Sequence, residues 1–189
     1  MLRELLQARE ALVEALKHEA NQAEHATGLP LLEGLTAARR ALLERHIKQI
    51  GAEMERVIAA DRDLADRAAR CAQVQGVGPV TTAAVLALMP ELGSLEKRQA
   101  AALLGVAPLP NQSGTCDKSR HIEGGRHRLR KTVYMAALSA ARHNPVLCAF
   151  YQRLRARGKP VKVALSALMR KLIELLYLLL KYPNSSLAR

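Results

Sequence analysis

The chain has 189 residues, of which 49% are hydrophobic, and it contains no Trp, one Phe and four Tyr. This apolar fraction excludes wholesale disorder, and the scarcity of aromatic side chains leaves Leu, Ala, Val and Ile to build a mainly helical core. The length suits one domain or two small ones. With 29 Lys and Arg residues against 17 Asp and Glu residues, the net charge is +12.

The positive charge is concentrated in the second part of the chain. Residues 1–70 contain 11 Lys and Arg against 12 Asp and Glu, a net charge of −1. Residues 71–189 contain 18 against 5, a net charge of +13. Such a basic region attracts polyanions, with nucleic acid first and an anionic membrane second. A surface that is merely solubilising is the alternative interpretation.

Cysteine spacing indicates a reducing compartment, and hydropathy indicates a protein outside the membrane. The three cysteines lie at positions 71, 116 and 148 and form no C-x-x-C pair, so the sequence predicts neither a zinc site nor a disulfide framework. The N-terminus lacks the apolar core of a signal peptide, and the longest apolar run, Leu172–Leu180, is too short to span a bilayer. We therefore expect a cytoplasmic, nucleoid-associated protein without membrane contact.

Two amphipathic segments open the chain. Apolar side chains at steps of three and four predict a helix over residues 2–26, broken at Gly28-Leu29-Pro30. A second apolar stripe predicts a longer helix from Leu35 to Ala72. Its near-heptad spacing is typical of an antiparallel coiled-coil hairpin, and two ordinary bundle helices are the equal alternative.

The next motif, Gly76-Val77-Gly78-Pro79, lies between two apolar helical stretches. Pro79 is well placed as the first residue of a helix that runs to about Met89. The pattern predicts a helix-hairpin-helix, in which the bare backbone at Gly76 and Gly78 approaches a phosphate. The following helix N-terminus would present free N–H groups and the positive end of its dipole. An ordinary Gly-Pro turn between helices is the alternative.

The remaining elements are also mainly helical. A short helix over residues 95–104 ends at Gly105, and the stretch Val106–Glu123 predicts a loop or a small β-hairpin around Leu109–Ile122. Further helices are predicted over residues 125–142, 146–157 and 161–182.

The predicted fold is therefore all-α in the main, with a helical hairpin followed by a compact helical domain that contains the helix-hairpin-helix turn. The expected divisions are residues 1–72 for the hairpin, 73–183 for the compact domain and 184–189 for the tail.

From Gly76 onward, the motifs follow one another in a characteristic order. After the Gly-Val-Gly-Pro helix start they are Leu104-Gly105-Val106-Ala107-Pro108, Asn111-Gln112-Ser113-Gly114, Gly124-Gly125-Arg126, Leu129-Arg130, His143-Asn144-Pro145, Tyr151, Gly158-Lys159 and Arg170-Lys171-Leu172. This combination resembles the C-terminal transposase domain of the IS110/IS1111 family of insertion-sequence transposases over roughly residues 74–182. The helical hairpin resembles the coiled-coil segment that precedes this domain in the family.

The resemblance implies that Ser113, in the Ser113-Gly114 element, is a nucleophile that attacks a DNA phosphodiester and forms a phosphoserine link. Gly114 would permit close backbone approach to the phosphate. Composition alone favours an ordinary turn serine at this position, since Asn, Ser and Gly are common in turns. Ser119 is a rival candidate that lacks the following glycine.

Phosphoryl transfer also needs positive charge around the phosphate oxygens. Lys118, Arg120, Arg126 and Arg130 lie within sequence reach of Ser113, and the i,i+4 spacing of the last two predicts a shared helix face. A solvated helix face is the alternative. With few acidic neighbours, phosphate contact is the preferred role.

The sequence departs from the family in its acidic residues. Family members carry an RNase H-like domain with metal-binding carboxylates ahead of the coiled coil, whereas this chain begins at the coiled coil and shows no metal cluster. We therefore expect no metal site or cofactor in this chain, Mg²⁺ only with the acidic domain, and little or no activity alone. The chain would then be a truncated product, a relic or an isolated domain.

Three functions remain in competition. The first is the DNA-recombining domain of an IS110-type transposase, for which the resemblance also implies a guide RNA. The second is a non-catalytic nucleic-acid-binding module that uses Gly76, Gly78 and the arginine-rich helices. The third is a structural protein that forms a homo-oligomer through its coiled coil.

Overall fold

The computed structural model describes residues 1–24, 28–107, 109–113, 116–121 and 124–182. For Glu24, Lys97 and the residues of the two strands, it describes the backbone but not the side chain. The elements of the described residues are α1 (Leu2–Glu24), α2 (Pro30–Ala60), α3 (Arg62–Ala72), α4 (Pro79–Leu88), α5 (Lys97–Leu104), β1 (Leu109–Ser113), β2 (Cys116–His121), α6 (His127–His143), α7 (Pro145–Ala156) and α8 (Val161–Lys181). The expectation of a mainly α fold is confirmed.

The chain divides into two compact units, Met1–Arg62 and Asp63–Arg189. The first contains α1 and α2, which pack against each other. Pro30 is the first residue of α2, where its fixed φ suits a helix and its missing N–H has no intrahelical acceptor to lose. Few side chains of this unit are buried, among them Leu6, Met54 and Ile58.

The prediction of one helix from Leu35 to Ala72 is wrong. The segment forms two helices, α2 and α3, because Asp61 between them is extended, with φ −110° and ψ 118°. The first of them also starts earlier, at Pro30. The boundary between the compact units falls within this segment, so α3 packs with the second unit, before the division predicted at residue 72.

The core of the second unit is built around α8. Ten of its side chains are buried, as its nearly continuous apolar sequence predicts. It packs against α5, α6 and α7, and α6 also packs against α4, whose sequence is largely buried. None of the helices in the described residues is long and apolar enough to cross a membrane.

Local signals set most helix ends as predicted. Gly105 closes α5 in the left-handed conformation, with φ 75°. Asn144 is extended between α6 and α7, and its side-chain Oδ1 accepts a hydrogen bond from the amide of Leu147 at 3.1 Å. This N-cap and Pro145 at the first helical position explain why the chain ends one helix and begins the next there.

The stretch predicted as a loop or small hairpin contains a β-hairpin. Strands β1 and β2 pair antiparallel, and the register places Asn111 opposite Lys118 and Ser113 opposite Cys116. An irregularity in the pairing lies between Leu109 and Asn111. The hairpin is the one sheet among the described residues and interrupts an otherwise helical unit.

Candidate nucleic-acid interface

The turn before α4 is held against α6 by Gly76. This glycine has φ 101°, and a Cβ built on it would lie 2.7 Å from the backbone and the Cβ of Ala140. A side chain at this position would therefore both strain the backbone and clash with α6. Packing alone explains the glycine, and its predicted contact with a phosphate stays a prediction.

Gly78 has open surroundings. It is exposed, no atom lies within 4 Å of a Cβ built on it, and it forms the N-cap of α4 without a side-chain hydrogen bond. Pro79 follows as the first helical residue, and the next amides belong to the unsatisfied first turn. Of the two glycines in the turn, Gly78 is the one whose surroundings leave room for a ligand.

The half-buried guanidinium of Arg126 forms hydrogen bonds with other parts of the chain. One guanidinium nitrogen donates to the carbonyl of Leu88 at 2.7 Å, and the other donates to the carboxylate of Glu91. The hydrogen bond and charge of Arg126 hold the pKa of Glu91 below its usual range. Arg126 contacts Leu88, the last residue of α4, whereas Gly78 lies just before its first residue. The two residues are therefore at opposite ends of a helix about 15 Å long.

Arg130 anchors the base of the hairpin. Its Nη1 donates to the carbonyl of Gly124 at 2.6 Å and to that of Gly105 at 3.2 Å. The backbone amide of Arg126 donates to the carbonyl of Leu103 at 2.7 Å. This bond adds to the crossing of the two chain segments, one after α5 and one before α6, at the base of the hairpin. These bonds tie the start of α6 to the end of α5, where the chain enters and leaves the hairpin.

The predicted shared helix face of Arg126 and Arg130 stays a prediction. The i,i+4 relation is kept, because the amide of Arg130 donates to the carbonyl of Arg126, the N-cap residue of α6, at 2.9 Å. The Arg126 guanidinium reaches to Leu88 at the end of α4, and that of Arg130 reaches to Gly105 after α5. Both arginines therefore donate hydrogen bonds to carbonyl groups of the chain. Their contact with a phosphate is a prediction, and their observed contacts position the hairpin.

Ser113, Lys118 and Arg120 all lie on the hairpin. Ser113 ends β1 opposite Cys116, while Lys118 and Arg120 lie on β2, further from the connection between the strands. The rival Ser119 is also on β2. Gly114, part of the predicted Ser-Gly element, lies outside the described residues.

The predicted residues therefore fall into three groups. Ser113, Lys118 and Arg120 share the hairpin, Arg126 and Arg130 bind at its base, and Gly76 and Gly78 form the turn before α4. In the part of the chain that the structure describes, no three His, Cys, Asp or Glu side chains come close enough to hold a metal ion.

Two features of this unit were not predicted as parts of the site. Glu91 was given no role and Gly105 only that of a helix end, although both bind the arginines at the base of the hairpin. The exposed cations Arg157, Lys159 and Lys162 were not among the predicted nucleic-acid-binding residues. The signal for them was present, because residues 124–173 contain no Asp or Glu.

Residues 68–152 match the family described as Transposase IS116/IS110/IS902. The chain is 35% identical over 109 residues to the insertion element IS110 uncharacterized 43.6 kDa protein of Streptomyces coelicolor, a match that covers 56% of this chain and 27% of that protein.

Two further relatives are the pilin gene-inverting proteins of Moraxella lacunata and Moraxella bovis. Each is 28% identical over 140 residues, with 71% of this chain and 43% of the relative covered. The chain thus spans less than half the length of the curated relatives that it matches. Over residues 68–152, the chain is therefore similar to the transposase domain of the IS116/IS110/IS902 family.

Proposed function

We propose that this chain supplies the DNA-binding and serine-nucleophile part of an IS110-type transposase or recombinase. The observation that carries the proposal is the family match over residues 68–152, which includes every residue predicted for the site. Within that match, the serine-bearing hairpin is anchored at its base by Arg126 and Arg130. The names of the pilin gene-inverting relatives are consistent with strand exchange as the reaction.

In the proposed step, the Oγ of Ser113 attacks the phosphorus of a DNA phosphodiester. The Oγ–P bond forms as the bond from phosphorus to one sugar oxygen breaks. The proton lost from the Ser113 hydroxyl is balanced by the proton that the leaving oxygen takes up to become a hydroxyl. The phosphate remains esterified to the enzyme, so the strand can be rejoined to a different hydroxyl by the reverse attack. Ser113 ends a strand of a two-stranded hairpin, beside the connection between the strands.

Lys118 and Arg120 are proposed to stabilise the charge that accumulates on the phosphoryl oxygens. Both lie on the strand that pairs with the one ending in Ser113. Arg126 and Arg130 are assigned a positioning role, because their donors bind Leu88, Glu91, Gly105 and Gly124 rather than projecting into solvent.

The complete reaction is proposed to need groups beyond those that the structure describes. No metal-binding cluster is present among the described residues, so the acidic domain that the resemblance implies would have to bring the Mg²⁺-binding carboxylates. A guide RNA is a further proposed partner, also implied by the resemblance. The chain alone would then be inactive or nearly so, and the reaction would take place on chromosomal DNA in the cytoplasm.

Covalent trapping on labelled DNA tests the nucleophile. The chain joined to the acidic domain is incubated with end-labelled duplex DNA and Mg²⁺, and covalent adducts are separated on a denaturing gel. We expect Ser113→Ala to abolish the adduct because it removes the attacking oxygen, while salt-dependent DNA binding stays within about twofold. Ser119→Ala is the matched control, since it removes a hydroxyl from the same hairpin and should leave the adduct intact.

An adduct that survives Ser113→Ala would remove Ser113 from the mechanism, and loss of the adduct only in Ser119→Ala would transfer the role to that residue. DNA binding with no adduct from either the wild type or the variants would favour the second candidate, a non-catalytic helix-hairpin-helix module. The open surroundings of Gly78 at the N-terminus of α4 are the observation that supports this second function.

We further propose that the chain self-associates through its first unit. Leu31, Leu35 and Leu42 share one stripe of α2 and are 74%, 53% and 42% exposed. Exposed leucines at near-heptad spacing are typical of a helix whose partner is another helix. A coiled coil between two copies would bury this stripe.

A further inference from the structure

The end of α7, the turn after it and the start of α8 carry positive charge without acidic neighbours in sequence. Residues 124–173 contain no Asp or Glu. The exposed cations around this turn, named here the α7–α8 basic surface, are Arg153, Arg155, Arg157, Lys159 and Lys162. All of them follow residue 152 and so lie beyond the part of the chain that matches the transposase family.

The turn between the two helices fixes the centre of this surface. The amide of Lys159 donates to the carbonyl of Leu154 at 3.1 Å, and the amide of Gly158 donates to that of Arg155 at 2.9 Å. Gly158 is left-handed, with φ 75°, as this helix-ending motif requires. The Arg155 guanidinium also donates to the Lys159 carbonyl, so the turn presents its cations from an ordered backbone.

Cations from both helices converge on one aromatic ring. The Arg153 guanidinium of α7 lies 5.9 Å from the centroid of Phe150, and the Lys171 ammonium of α8 lies 5.7 Å from it. Each distance is within the range of a cation–π interaction. Arg153 and Lys171 therefore lie close together where α7 packs against α8, whereas Lys162 lies nine residues before Lys171, beside the turn and on the other side of α8.

Helix electrostatics explain only part of this charge. Arg153 and Arg155 lie in the last turn of α7, where the negative end of the helix dipole favours cations. Lys162 lies in the first turn of α8, where the dipole disfavours a cation and no acidic residue offsets it. Among the described residues, no carboxylate pairs with Arg157, Lys159 or Lys162. This charge is therefore uncompensated within the described residues.

We propose that the α7–α8 basic surface binds the phosphodiester backbone of duplex DNA. The inference rests on the proposed function, which makes DNA the partner, and it adds a contact surface that the predicted site does not include. Cations on long exposed side chains favour phosphates, whose contacts position a duplex without reading its sequence. Single strands are bound chiefly by stacking on aromatic side chains, and the single Phe of the chain is already covered by Arg153 and Lys171.

The test compares two variants of the full chain that lose the same charge. The first carries Arg157→Gln, Lys159→Gln and Lys162→Gln, and the second carries Arg40→Gln, Arg45→Gln and Lys48→Gln at exposed positions of α2. Fluorescence anisotropy with a labelled 30-base-pair duplex of mixed sequence gives the affinity between about 50 and 300 mM salt. We expect the first variant to bind at least about tenfold more weakly at 0.1 M salt and to lose about 2 to 3 from the salt slope. The α2 variant should keep the wild-type slope.

Each other outcome overturns part of the proposal. Equal losses in both variants would assign the effect to net charge, and wild-type binding by both would remove this surface while leaving DNA as the partner. No salt-dependent binding by the wild type would overturn the DNA-binding function as well. If the first variant loses affinity only for a single-stranded RNA probe of equal length, the partner of this surface would be RNA rather than duplex DNA. A third variant, Arg157→Lys, Lys159→Arg and Lys162→Arg, keeps the charge and should bind like the wild type, whereas weakening would indicate a structural effect.

Discussion

At the scale of single residues, the arginines of the second unit divide by the groups that they contact. Arg126 and Arg130 donate to carbonyl and carboxylate groups of the chain, so their positive charge contributes to the position of the hairpin. Arg157 is exposed and is the type of residue that meets a phosphate. Sequence cannot distinguish the two kinds, because the partner carbonyl of Arg126 at Leu88 is 38 residues away along the chain.

The bond between Arg126 and Glu91 makes stability depend on pH. Because the hydrogen bond from Arg126 lowers the pKa of Glu91 from 4.5, the unfolded chain binds its proton more readily than the folded one. The stabilisation is therefore complete above about pH 4.5 and is lost as the pH falls through the lower pKa of the folded state. We expect Glu91→Gln to cost about 1 kcal/mol at pH 7 and progressively less below pH 4.5, measured by urea unfolding.

Glu55→Gln is the matched control for this experiment. Glu55 is an exposed carboxylate of α2, in the other compact unit, so its replacement should not change the pH dependence of unfolding. If the difference in the free energy of unfolding between wild type and Glu91→Gln persists unchanged at pH 3, an electrostatic origin of the stabilisation would be contradicted.

At the scale of elements, the sequence predicts those boundaries that are set locally. Gly105, Asn144-Pro145 and Gly158-Lys159-Pro160 end or begin helices by their own conformational preferences, and the structure has helix ends at all three. The break at Asp61 was not predicted, because the surrounding sequence contains neither Gly nor Pro and continues the apolar stripe. The break is a single extended residue, which the periodicity of apolar side chains does not report.

The turn before α4 shows a similar division between its two glycines. We expect Gly76→Ser to lower the free energy of unfolding by about 2 kcal/mol or more, because the new Cβ would meet the backbone of Ala140. Gly78→Ser is the matched control and should be neutral or slightly stabilising, since Ser is a favourable N-cap and the site is open. Thermal unfolding of both variants gives the comparison, and equal stability would contradict the packing role of Gly76.

At the scale of the whole molecule, the chain contains two units of different character. The unit Asp63–Arg189 has a core built from several helices, and it includes α3, whose Cys71 is fully buried. Burial raises the pKa of the Cys71 thiol to about 11, so this group is protonated at neutral pH. The Arg67 guanidinium also donates to the carbonyl of Pro90 at 2.6 Å, which holds α3 within this unit.

The unit Met1–Arg62 has little core of its own, and from this we predict self-association. Introducing Lys at Leu35 and Leu42 should place charge in the exposed stripe of α2 and shift the chain toward monomer in sedimentation velocity. Introducing Lys at Ala37 and Ala41, which are exposed outside that stripe, adds the same charge and should leave the distribution unchanged. A monomeric wild type across the accessible concentrations would contradict the prediction.

The crossing at the base of the hairpin has a consequence for how such a protein can diverge. A Cβ on Gly105 would lie 2.3 Å from the carbonyl oxygen of Gly124, and one on Gly125 would lie 2.4 Å from the amide nitrogen of Gly105. The chain thus enters and leaves the hairpin through backbone that has no room for a side chain at Gly105 or Gly125, and the Arg130 guanidinium binds at the same crossing. These two positions are therefore constrained to glycine, so divergence of such a protein has to leave the attachment of the hairpin unchanged.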